Sequence, residues 1–293
     1  MRREVEEVIE AHRAAGREFE AGGVRSFVRD QGDGDPVVLV HGVPTCSYLW
    51  RKVLPPLAQS GLKGVAFDFP GLGFAERPQE FDYSWGGLAG WMGDAIDALG
   101  IERCHLVVHD IGGPIGCEWA VRNPDRVISL TALNCMLEVA GFRRPWFMHL
   151  FVPRGVGEAW LRTMNRFAMA QLFGREGLGD RSAVSADELG AYYDLLKRGS
   201  GNGDGGRAFL RIMRGFELTT EKQRLLVDGL AKRAYPAQIV WGRDDRALNP
   251  ARAGVERALG VDPQLLPGKH FIQEDQAPAV AAAIAGLAAQ PGG

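Results

Sequence analysis

The feature that most narrows what this chain can fold into is Leu106-Val107-Val108-His109-Asp110-Ile111-Gly112-Gly113-Pro114-Ile115-Gly116. An apolar, valine-rich run stops at a polar pair, and small residues follow before a helical pattern opens. A strand that turns at once into a helix has this grammar, and the turn lifts its apex side chain above the edge of a sheet. Glycines let the turn form and let the helix pack closely on the sheet. The apex residue is Asp110.

Around this stretch the pattern alternates strand and helix. Residues 2 to 20 repeat apolar positions at helical spacing (Val5, Val8, Ile9, His12, Phe19), which predicts an amphipathic N-terminal helix. Val24 to Asp30 reads as an edge strand, and Pro36 to Val40 as a strand buried on both faces. A helix is expected over 47–59, a strand at 65–67 and a helix over 84–99 ended by Gly100. Strand 105–109, a helix to Arg122 stopped by Asn123-Pro124, and strand 127–133 follow. Gly71-Leu72-Gly73 lacks a third glycine and opens no helix, so it reads as a turn and not as a dinucleotide-binding loop. This alternation predicts an α/β fold with a mostly parallel central sheet and helices on both faces.

After Asn134 the texture changes. Residues 136 to 228 show no buried strand pattern. They carry helical segments rich in large apolar residues (Trp146, Phe147, Met148, Phe151, Trp160, Met164, Phe167, Met169), and Gly199 to Gly206 reads as a flexible loop. We expect an inserted helical cap over the C-terminal edge of the sheet, where open α/β sheets bind ligands. The core domain then comprises 1–135 and 229–293. The sheet resumes with Ala237 to Trp241, a helix over about 251–259, strand 264–266 and an Ala-rich helix from Ala277, and the Gln-Pro-Gly-Gly tail is expected to be disordered.

A formal net charge of -2 gives no reason to expect nucleic acid or an anionic membrane as partner. No apolar run reaches membrane-spanning length and the N-terminus lacks a signal-peptide core, so a cytoplasmic location is expected. Cys46, Cys104, Cys117 and Cys135 form no C-x-x-C pair and read as buried thiols.

Three polar residues stand just beyond predicted strands in the order Asp110, Asp245, His270, the order of nucleophile, acid and histidine in α/β-hydrolases. The motifs resemble one branch of that superfamily, the haloalkane dehalogenases and epoxide hydrolases. They are His41-Gly42-Val43-Pro44-Thr45 with Ser47-Tyr48-Leu49-Trp50-Arg51; Asp68-Phe69-Pro70-Gly71-Leu72-Gly73 with Glu76-Arg77-Pro78; His109-Asp110-Ile111-Gly112-Gly113; Trp241-Gly242-Arg243-Asp244-Asp245; and Gly268-Lys269-His270-Phe271-Ile272-Gln273-Glu274-Asp275. The resemblance covers nearly all of 24–135 and 235–290; over the insertion it is architectural only.

An Asp at the apex is ionised at neutral pH and needs no base to act as a nucleophile. It can attack an sp³ carbon and form an alkyl ester, which water activated by His270 would hydrolyse. The resemblance implies Asp245, three residues after the glycine, as the acid that orients His270, with Glu138 as the alternative acid. It implies backbone N–H groups of Val43 and Ile111 as the oxyanion hole. His109 reads as a buried structural histidine, and His41 as a loop-stabilising one. No metal or organic cofactor is called for; the expected partners are water and a small apolar substrate bearing a halide or an epoxide.

The chain departs from the families it resembles at the leaving group. Haloalkane dehalogenases usually place a Trp after the nucleophile and often an Asn after the His-Gly pair, where this chain has Ile111 and Val43. Fluoroacetate dehalogenases place arginines where this chain has Ile111 and Pro114. Indoles of Trp146 or Trp160 would restore halide binding, whereas Tyr192 or Tyr193 would protonate an opening epoxide. Both readings stay open, beside a lyase or oxygenase on the same fold and a non-catalytic binding protein.

Overall fold

A computed structural model describes residues 2–197 and 204–290. The N-terminal helix α1 (Arg2–Ala14) is shorter than the periodicity predicts, because Arg17–Ala21 forms strand β1. Gly16 causes the break: a Cβ there would lie 2.3 Å from the Phe27 ring and 2.4 Å from the Val28 carbonyl. Phe19, which fits the helical pattern, instead reaches Trp91 from the strand. Gly22 and Gly23, both at positive φ, turn the chain into β2 (Val24–Gln31), as two-residue hairpin turns require.

The next elements are β3 (Asp35–Val40), α2 (Leu54–Gln59), β4 (Leu62–Phe67) and α3 (Trp85–Ala98). They lead to β5 (Cys104–Asp110), α4 (Gly112–Arg122) and β6 (Val127–Cys135). With β7 (Ala237–Gly242) and β8 (Pro263–Leu266), eight strands form one sheet in the order β1-β2-β4-β3-β5-β6-β7-β8. The β1–β2 and β2–β4 pairings are antiparallel and all others parallel. Central strand β5 is buried at every position, which its apolar run demands of a strand covered on both faces.

Between β6 and β7 the described residues form helices α5 (Trp146–His149), α6 (Val156–Thr163), α7 (Arg166–Leu172), α8 (Ala186–Lys197), α9 (Arg207–Arg214) and α10 (Thr220–Ala231), and no strand. The boundary expected after Asp228 falls inside α10. That helix packs on the core, since a Cβ on Gly229 would meet Val121 at 2.4 Å. Of the expected glycine loop, residues 199–203 lie outside the described residues, as do tail residues 291–293. Asp204 to Gly206 form the turn that starts α9: the Asp204 carboxylate accepts the N–H groups of Gly206 and Ala208. The chain closes with β7 (Ala237–Gly242), α11 (Asn249–Leu259), β8 (Pro263–Leu266), α12 (Ile272–Asp275) and α13 (Ala277–Ala288). Among the described residues no helix is long and apolar enough to cross a membrane, and all four cysteines are free and buried.

Candidate active site

Asp110 is the last residue of β5 and has φ +55°. That left-handed conformation costs most residues about 1–2 kcal/mol, and Asp is among the few that tolerate it. The sharp turn brings the carboxylate against the loop after β3. A Cβ on Gly42 would lie 2.2 Å from Asp110 Oδ1, so only glycine admits this approach. The Val43 N–H donates to Asp110 Oδ1 at 2.9 Å, and the backbone N–H of Ile111 also bonds the carboxylate. Both predicted N–H groups therefore converge on one oxygen-bearing group.

His270 follows β8. Its Nδ1 and Asp245 Oδ2 are 2.9 Å apart, and Nε2 faces Asp110 Oδ2 at 3.6 Å. Burial raises the Asp110 pKa above its ordinary 3.8, against the opposing effects of His270 and the two N–H groups. For His270 burial acts downward, but the Asp245 and Asp110 carboxylates prevail and hold it above 6.5. Asp245 shows the reverse balance: burial acts upward, yet His270, Asn134 and the Leu248 N–H keep it below 3.8. The imidazole thus sits between two carboxylates in unlike settings, one bonded on all sides and one facing a cavity.

Asp245 is fully buried. Its Oδ1 accepts the N–H groups of Ala247 and Leu248, and its Oδ2 accepts Asn134 Nδ2 at 2.7 Å. Asn134 also accepts the Gly242 N–H at 2.9 Å. Our sequence reading assigned Asn134 no role; its signal was its place at the end of β6, level with the other strand ends. Glu138, the alternative acid, is instead held by Arg257, whose Nε donates to it at 2.8 Å. It does not line the cavity at Asp110. Asp244 is exposed beside Arg243.

His109 Nε2 bonds the His270 carbonyl at 2.9 Å, and burial drives its pKa well down, so it stays neutral. His41 accepts the Phe69 N–H on Nε2 and donates from Nδ1 to the Gly42 carbonyl. Burial pushes it to about 4. It braces the loop that carries Val43.

Asp110 and His270 border a cavity of about 90 Å³. One water needs about 10–15 Å³ by that measure, so a small organic molecule fits. Its wall comes largely from the inserted segment, including Phe147, Phe151, Met164, Met169, Leu172, Phe173, Phe209 and Met213. None of the four expected leaving-group donors lies in it. Trp146 and Trp160 border a neighbouring outer groove, and Trp146 is 74% exposed. Tyr192 is buried and donates its hydroxyl to Glu274. Tyr193 packs beside the Lys197 ammonium. On α8, Tyr192 meets the Arg51–Glu274 ion pair, and Leu196, one turn further along the same helix face, reaches the cavity. Among the described residues, the charged groups at the cavity besides Asp110 and His270 are Arg144 and Glu176, which no sequence periodicity marked.

A model of the alpha/beta hydrolase fold matches residues 35–277. A haloalkane dehalogenase from Mycolicibacterium paratuberculosis is 30% identical over 271 residues, 89% of this chain and 86% of the relative. Cfl2 from Burkholderia cenocepacia superposes with a TM-score of 0.78 at 23% identity, covering 92% of this chain and 94% of its own. The epoxide hydrolase CorEH superposes with a TM-score of 0.72 at 21% identity, covering 92% and 96%. With its mostly parallel eight-stranded sheet, the chain belongs to the α/β-hydrolase family and is a hydrolase related in sequence to haloalkane dehalogenases.

Proposed function

We propose that the protein hydrolyses a carbon–halogen bond in a small organic molecule through a covalent ester on Asp110, with residues 136–228 serving as its cap. What carries the reading is one piece of geometry. The Asp110 carboxylate ends in an apolar cavity, with the Val43 N–H at 2.9 Å and His270 Nε2 at 3.6 Å. In the first step a carboxylate oxygen bonds to the sp³ carbon, and the halide leaves with the electron pair of the broken bond. In the second, water attacks the carbonyl carbon of the ester while its proton passes to His270 Nε2. The N–H groups of Val43 and Ile111 hold the oxyanion, and Asp245 stabilises the imidazolium. Collapse breaks the acyl carbon–oxygen bond, and His270 returns the proton to the departing alcohol. The carboxylic acid left on Asp110 then loses its proton to solvent, so that the net products are alcohol, halide and one proton.

A halide leaves as a stable anion without a proton, whereas an opening epoxide leaves an alkoxide that must be protonated. No tyrosine lines the cavity, which favours the halide reading. Intact-mass spectrometry of His270→Gln with a panel of haloalkanes and epoxides tests it. The expected result is an adduct equal to the haloalkane less its halogen. Adducts with epoxides alone would move the assignment to epoxide hydrolysis, and the absence of any adduct would overturn the covalent mechanism.

A further inference from the structure

We propose that Arg144 is a specificity-determining residue that holds a carboxylate on the substrate, so that the preferred molecule is a small halogenated acid and not a neutral haloalkane. The inference rests on the covalent reading above for its reaction, though not for its binding. Arg144 borders the same cavity as Asp110 and His270. Its guanidinium lies over the Phe216 ring at 4.5 Å, and its NH2 group makes a long bond of 3.3 Å to the Met213 carbonyl. Its Nε is buried without an acceptor. Among the described residues it has no carboxylate partner. The other charged wall residue, Glu176, is already paired with Arg175 at 3.1 Å.

An arginine stays charged in proteins, so burial cannot silence it by deprotonation. Arg144 is half-buried, but its Nε is shut off from water without an acceptor and its hydrogen bond to Met213 is long, which is costly until an anion arrives. Its fork of N–H donors matches a carboxylate in shape as well as charge. An anionic substrate entering the cavity meets the negative charges of Asp110, Asp245 and Glu176, which His270 and Arg144 offset only in part. Arg144 is the wall cation on which binding of an acid would depend. Phe216, which also borders the cavity, lies against the guanidinium and restricts its movement.

Isothermal titration of the wild-type protein with propanoate and with propanamide reads the recognition without any covalent step. Propanoate should bind about tenfold or more tightly than the amide. Arg144→Gln should abolish that preference while leaving propanamide binding unchanged, and Arg144→Lys should restore part of it. In turnover, 3-bromopropanoate should be preferred to 1-bromopropane, and Arg144→Gln should reduce that ratio of kcat/KM by about tenfold or more. Equal affinity of the wild-type protein for acid and amide would overturn the inference, and this comparison stands even if the variants do not fold. So would an Arg144→Gln protein that slows both bromides equally, because that would assign Arg144 to the departing halide. An alkyl adduct on His270→Gln without a propanoate preference sinks this inference alone; the preference without any adduct sinks the covalent mechanism alone.

Discussion

The C-terminal edge of the sheet and the helices inserted above it are built on opposite terms. At the sheet edge the residues around His270 are held by hydrogen bonds: Asp245 takes N–H groups from Ala247, Leu248 and Asn134, and Asn134 in turn takes the Gly242 N–H. The insertion gives the cavity methionines, phenylalanines and leucines, with Arg144 and Glu176 as its charged members. Hydrogen bonds hold a group to fractions of an ångström, whereas dispersion between flexible thioethers and rings fills space without fixing one geometry. The chemistry should therefore depend steeply on the sheet edge, and substrate choice on the insertion.

The largest effect expected from that contrast is at Asp110. Asp110→Asn keeps the shape and tolerates positive φ, yet it removes the charge that attacks in the proposed mechanism. Halide release should fall by at least about 10⁴-fold. Retained turnover would break the contrast outright, since the edge would then not carry the chemistry.

A smaller effect concerns the imidazole. With its pKa above 6.5, His270 should titrate in nuclear magnetic resonance spectra of the free protein with a midpoint above that value. Asp245→Asn should lower the midpoint and slow ester hydrolysis by about 10²–10⁴-fold. The sign for stability follows: a raised folded pKa stabilises fully below the unfolded value near 6.5, and the contribution is lost as pH climbs through the folded pKa. A parent midpoint at or below 6.5 would mean that burial outweighs the two carboxylates.

The smallest effect on the chemistry belongs to the insertion. Met169 lines the cavity and is 2% exposed. Met169→Ala should cost about 2–5 kcal/mol in urea unfolding, through lost burial and an enlarged cavity. It should shift kcat/KM toward longer bromoalkanes by about tenfold, the scale on which apolar pockets discriminate. Substrate choice that does not move would mean that the sheet edge sets specificity as well.

Much of the sheet was legible because strands buried on both faces carry continuous apolar runs, as at 37–40, 106–108 and 239–241. The expected boundaries erred where two periodicities overlapped. Phe19 continues the helical spacing of α1, and only the clash that Gly16 would otherwise suffer against Phe27 shows why the chain turns there. Asp110, Asp245 and His270 were legible because local chemistry marks strand ends. Asn134 was not, since its bonds reach residues more than 100 positions away.

The sequence by itself determined the order of the elements, the parallel character of the sheet and a carboxylate at its sharpest turn, because these depend on neighbours along the chain. Only the tertiary structure decided which insertion residues face that carboxylate. It turned Trp146 outward, gave the Tyr192 hydroxyl to Glu274 and set Arg144 on the cavity wall. The physical reason is that a helix fixes the angle between its own side chains but not its rotation against the rest of the molecule. That rotation is set by contacts with residues far away in the chain, such as the Arg51–Glu274 ion pair that receives Tyr192.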